Sequence, residues 1–190
     1  MTSTTPAPAG TAATPAARPE ATPAVQPAAA LRIAVDDLSG PDVAAFLAEH
    51  LRQMYEVSPP ESVHALDLDA LRGPDVTFWT VRDASEGAEG TLLGCGALKR
   101  LDAAHAELKS MRTRTDRRRA GIAGRLLEHI LTEASRAGFG RVSLETGAEP
   151  FFAPARALYA RFGFTPCAPF ADYTPDPNSV FLTRLLGEDS

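Results

Sequence analysis

The feature that most restricts the fold is a change of period in the middle of the chain. From Ile122 the apolar residues fall at 122, 126, 127, 130, 131 and 134, one face of an amphipathic helix that runs to Arg136 and is closed by Gly138. Upstream, Thr91 to Leu101 and His105 to Thr113 read as strands separated by Asp102-Ala103-Ala104. The junction, Asp116 to Gly124, is rich in arginine and glycine. A helix N-terminus exposes unpaired N–H groups and the positive end of the helix dipole, and glycines let a phosphate approach the backbone. The stretch predicts an anion cradle.

Charge supports one anionic partner at one place. Between Lys109 and Arg125 lie seven basic residues against one acid, a local +6 in a chain whose net charge is −5. A protein that coats nucleic acid is expected to be basic overall, with aromatic side chains interleaved for stacking. No Phe, Trp or Tyr occurs between Trp79 and Phe139, so no nucleic-acid partner is expected. The cradle is not the Walker loop, which needs Gly-x-x-x-x-Gly-Lys-Ser/Thr. Nor is it the Rossmann fingerprint, Gly-x-Gly-x-x-Gly.

The remaining pattern gives one domain behind a tail. Residues 1–30 hold eleven Ala, six Pro and six Thr, too few large apolar groups to repay chain ordering, and are expected to be disordered. Residues 31–190 suffice for one core. Leu31 to Val35 reads as a strand, and a helix from Pro41 carries Val43, Phe46, Leu47, His50, Leu51 and Met54 on one face until Ser58-Pro59-Pro60. A second helix is expected over Val63 to Leu71 and a strand over Val76 to Arg82, followed by a turn at Gly87 to Gly90. After the long helix come a strand at Arg141 to Thr146, a helix at Pro154 to Phe162 and a strand at Ser179 to Leu185. The fold class is α/β with a mixed sheet, antiparallel in its first half, with a parallel pair between the strands at 105–113 and 141–146 and helices on its faces. No secretory signal or membrane-length apolar run is present, and the cytoplasm is the expected compartment. Cys95, Cys167 and the four histidines have no metal-ligand spacing, so no metal is expected.

Three segments together resemble the GNAT superfamily of acetyl-coenzyme A dependent N-acetyltransferases. They are His105 to Thr113, Arg118-Arg119-Ala120-Gly121-Ile122-Ala123, which matches the Arg/Gln-x-x-Gly-x-Gly/Ala signature, and Ala157 to Phe164. Leu144 to Gly147, Pro169 to Tyr173 and Asp176 to Ser179 further resemble a bacterial subgroup of small acetyltransferases. The resemblance implies acetyl-coenzyme A as acetyl donor. The pyrophosphate would lie on Arg118, Arg119, Ala120, Gly121, Ile122, Ala123 and Gly124, and the pantetheine arm along the backbone of Met111, Arg112 and Thr113. Glu107 is the expected general base, with pairing to Lys109 or an arginine as its structural alternative. Tyr159 is the expected acid for the departing thiolate, with a place in the aromatic core as its alternative. A family asparagine seven residues before that tyrosine is replaced by Phe152. The acceptor would be a small-molecule or peptide amine. Loss of Glu107 and Tyr159 roles would leave a non-catalytic acyl-coenzyme A sensing domain, and an edge strand after Pro169 offers a surface for a homodimer.

Overall fold

The computed structural model describes residues 1–2, 30–64, 66–87 and 90–187. Apart from Met1, Thr2 and Ala30, the tail expected over residues 1–30 lies outside them, as do residues 88 and 89 of the expected turn. Seven strands form one sheet: β1 (Leu31–Val35), β2 (Val76–Asp83), β3 (Leu92–Arg100), β4 (His105–Thr113), β5 (Arg141–Gly147), β6 (Thr165–Pro166) and β7 (Ser179–Leu185). Their spatial order is β1-β2-β3-β4-β5-β7-β6, antiparallel throughout except for the β4–β5 pair.

The helices α1 (Pro41–Val57), α2 (Leu68–Leu71), α3 (Ile122–Arg136) and α4 (Ala153–Arg161) divide between the two faces. Period-2 alternation sends half of each strand to each side. Leu93, Leu98, Ala106, Leu108, Val142 and Leu144 meet the apolar stripe of α3, where Leu126, Leu127 and Ile130 are fully buried. On the opposite face Phe78, Leu92, Cys95 and Ala97 pack under Val43 and Leu47 of α1 and Leu71 of α2. Among the described residues no helix is long and apolar enough to cross a membrane.

Three elements differ from the sequence reading. The helix expected from Val63 is confined to Leu68–Leu71, because the Asp67 carboxylate caps it by accepting from the Ala70 N–H at 2.8 Å. Thr91 lies outside β3. The two-residue β6 was not foreseen, since a run that short carries no alternation; it exists only as a pairing on β7.

Two irregularities in the sheet create the site. Between β3 and β4 the register slips, with Cys95 opposite Arg112 but Ala97 opposite Lys109, and Ser110 takes a left-handed φ of 54°. Gly96 faces this bulge, and a side chain there would collide with Met111 Sδ and Ile130. Beyond it β4 and β5 separate: their pairing runs only from His105–Arg141 to Glu107–Ser143. A cleft therefore opens between Lys109-Ser110-Met111 on one strand and Glu145-Thr146-Gly147 on the other.

Candidate active site

The parted strands enclose a cavity of about 120 Å³ whose walls come from both faces of the sheet. His50 and Met54 of α1, with Ser62 and His64, close one side; Ala155 and Tyr159 of α4 close the other. β4 has no β5 partner along this stretch, so its backbone can pair with an extended ligand as another strand would. Glu145 and Lys109 bring charge to the floor.

Glu145 is the carboxylate that faces this cavity. Strand alternation puts Val142 and Leu144 into the α3 core and turns Ser143 and Glu145 to the other face. The Ser179 hydroxyl donates to its Oε1 at 2.7 Å. Burial pushes its carboxyl above the ordinary carboxylate range, outweighing the Ser179 hydrogen bond and the nearby His64 and Lys109. A carboxylate poised in this way is a stronger proton acceptor.

Glu107, the sequence candidate for the general base, lies on β4 two residues before Lys109. It lies on the last β4–β5 rung, 3% exposed and next to Lys109 of the cavity wall. Its Oε1 accepts from Lys109 Nζ at 2.8 Å and from the Tyr173 hydroxyl at 2.6 Å, while Lys109 also donates to the Tyr173 oxygen at 2.8 Å. This closed triangle of charge-assisted hydrogen bonds holds the Lys109 ammonium at the cavity wall. The pairing with Lys109 is thus realised in the interior. Glu145, which the sequence reading did not single out, was legible only as a charged group at an inward position of a strand buried on both faces.

Tyr159 is 7% exposed and packs edge-on against Phe164 at 5.8 Å between ring centroids. Its ring belongs to the α3 core, yet the residue also lines the cavity, so core and site readings are both met by one side chain. Burial, then the charge of Glu145, pushes its hydroxyl well above the usual phenol range, which keeps it protonated. Among the described residues none hydrogen-bonds that hydroxyl.

The segment from Arg118 to Gly121 is an exposed loop that leads into α3. Gly121 caps α3 with a left-handed φ of 78°, no side chain caps the helix, and its first hydrogen bond to this point is Arg125 N–H to Gly121 O. The N–H groups of Ile122, Ala123 and Gly124 thus lack intrahelical acceptors. Arg118, Arg119, Ala120 and Gly121 are exposed, and nothing lies within 4 Å of where a Gly121 side chain would begin. Met111 and Thr113 are half-buried at the open β4 edge. Arg112 departs from this set: its side chain turns to α1, with the guanidinium 4.8 Å from the Phe46 ring centroid and Nη1 donating to Gln53 at 3.2 Å. Only its backbone can serve a ligand in the cleft. Its charge, after burial, also holds the neighbouring His50 down at a pKa of about 4, so that imidazole is neutral near pH 7.

Comparison with known proteins agrees with this architecture. Residues 43–164 match the model of the Acetyltransferase (GNAT) family. The chain is 54% identical over 156 residues to the "uncharacterized N-acetyltransferase YsnE" of Bacillus subtilis (strain 168), covering 82% of this chain and all of that protein. It is 48% identical over 158 residues to the "uncharacterized N-acetyltransferase YedL" of Escherichia coli (strain K12), covering 83% and 96%. In structure it resembles a GNAT family acetyltransferase from Elizabethkingia anophelis solved with acetyl-CoA bound, at 15% identity and a TM-score of 0.57, over 82% of this chain and 98% of that one. A seven-stranded sheet parted between β4 and β5, a bare helix N-terminus beside the gap, and these relatives lead to one assignment: the chain belongs to the acetyltransferase (GNAT) family and is an acetyltransferase.

Proposed function

We propose that the protein transfers the acetyl group of acetyl-CoA to a primary amine by direct attack while both substrates are bound. The observation that carries this reading is the meeting of Glu145, Tyr159 and the unpaired β4 edge around one cavity. Acetyl-CoA supplies an activated acetyl group as a thioester. The Arg118–Gly124 cradle suits its pyrophosphate, and the Met111–Thr113 backbone suits its pantetheine arm.

An alkyl ammonium with a pKa of about 10.4 is almost wholly protonated at neutral pH, and only the free amine is a nucleophile. Glu145 accepts that proton. The amine nitrogen then forms its bond to the acetyl carbon, the carbon–sulfur bond breaks, the Tyr159 hydroxyl hands a proton to the sulfur, and the nitrogen sheds its second proton to solvent, from which Tyr159 is reprotonated. Glu107 acts indirectly, by fixing Lys109 and Tyr173 beside the acceptor.

Initial rates of thiol release, measured with acetyl-CoA and an amine varied together, test the direct route. Intersecting double-reciprocal lines are expected; parallel lines would establish a covalent acetyl-enzyme and overturn it. Tyr159→Phe is expected to lower kcat by roughly tenfold and no further, because a thiol with a pKa of about 8.5 leaves with little help.

A further inference from the structure

Two opposite charges stand level across the parted strands and do not pair with each other. The last β4–β5 rung sets Glu107 opposite Ser143, so two residues further on Lys109 stands level with Glu145, on the same face of the sheet. Both line the cavity, and among its described walls Glu145 is the one carboxylate and Lys109 the one ammonium. In a closed ladder such residues would form a cross-strand ion pair. Here Lys109 pairs with Glu107 at 2.8 Å instead, and among the described residues Glu145 has no cation at ion-pair distance.

The Lys109 ammonium has binding capacity left. It carries three N–H donors. One goes to Glu107 Oε1 and one to the Tyr173 oxygen, at 2.8 Å each, and the third has no acceptor among the described residues. These two anchors hold the ammonium on its own side of the gap before a ligand arrives, so little side-chain freedom is lost on binding. His64 stands on the same side. Its ring packs edge-on against Tyr173 at 5.0 Å and lines the cavity, and neither ring nitrogen has a hydrogen-bond partner among the described residues.

We propose that the acceptor is a free α-amino acid, its ammonium at Glu145 and its carboxylate on the third N–H of Lys109, with the His64 ring as a second donor. This names the substrate of the amine acetyltransfer proposed above and rests on that reading. In an α-amino acid a single carbon separates the two charged groups, so the zwitterion fits a cavity of about 120 Å³ with its charges facing opposite strands. A simple amine would leave the third Lys109 donor unmet, which is costly in a closed site. Acetylation turns the ammonium into a neutral amide and removes its attraction to Glu145, so the product is held at Lys109 alone.

The test sets each of a panel of α-amino acids, and β-alanine, against the amine left when its carboxylate is replaced by hydrogen, and compares kcat/KM for thiol release at saturating acetyl-CoA. For at least one α-amino acid the native protein is expected to favour the acid over its amine by at least about thirtyfold, through KM, the scale of a buried hydrogen bond to a charged group. Lys109→Met combined with Glu107→Gln removes both charges of the ion pair, so no buried charge is stranded. It should bring that ratio to within about threefold of one, with an unchanged calorimetric Kd for acetyl-CoA. His64→Phe keeps a ring against Tyr173 and should raise KM for the amino acid several-fold more than KM for its amine, which tests the subsite even where the double variant does not fold. Native ratios near one for every pair would overturn the amino-acid subsite alone. So would a preference found only with β-alanine, or a folded double variant that keeps the native ratio. Absence of thiol release with every compound would instead overturn the acetyltransfer reading beneath it.

Discussion

Glu145→Gln is expected to lower kcat/KM for amine acetylation by about 10²- to 10³-fold while leaving the Kd for acetyl-CoA within a factor of two. The amide keeps the shape and the Ser179 contact but cannot take a proton. In the native protein the acidic limb of the kcat/KM profile should sit above the usual carboxylate range, because burial raises the Glu145 pKa, and this limb should vanish in the variant. Stability moves the other way. A carboxyl whose pKa is raised by folding binds its proton more tightly in the native state, so the native protein loses stability as pH rises from the unfolded pKa through the folded one. Glu145→Gln lacks that loss, so its Tm should exceed the native value near pH 8 and the difference should close below pH 4. Glu107→Gln gives the contrast: it strands the buried Lys109 ammonium, which costs on the order of 3–5 kcal/mol, and lowers Tm at neutral pH. A larger catalytic loss in Glu107→Gln than in Glu145→Gln, with both variants folded, would return the base to Glu107.

Gly121→Glu should weaken acetyl-CoA binding by at least about a hundredfold. The left-handed φ of 78° costs a non-glycine residue roughly 1–2 kcal/mol, and the new carboxylate stands at the bare N–H groups of α3. No atom lies near enough to the site of the new side chain for a steric clash, so the protein should still fold, with a Tm lower by only a few degrees. Gly121→Ala separates the causes: it carries the strain without the charge and should lose far less affinity. Equal losses in the two variants, measured by calorimetry, would show that backbone conformation rather than an anion-binding role explains Gly121.

The elements that position the site were legible because each carries its own period. The α3 stripe from Ile122 to Ala134 and the β4 run from His105 to Thr113 appear where pattern and propensity put them. The start of α3 was legible too, since a glycine at the head of a helix has a local physical meaning. The cavity was not, because it depends on where pairing stops. Nothing in the alternation of Arg141 to Gly147 announces that β5 leaves β4 after Ser143, and the bulge at Ser110 is set by contacts from β3. The same limit bears on Glu107 and Glu145. Both are carboxylates on strands that face the same side of the sheet, and only Tyr173, 66 residues away in sequence, reveals that Glu107 is already engaged.

The most direct test of the central claim is a calorimetric titration of the intact protein with acetyl-CoA, run in parallel with a short single-stranded RNA. The account predicts one site of micromolar affinity for acetyl-CoA, lost in Gly121→Glu, and no heat with RNA. An absence of acetyl-CoA binding would contradict it, because neither the parted strands nor the bare α3 terminus would then hold the acetyl donor.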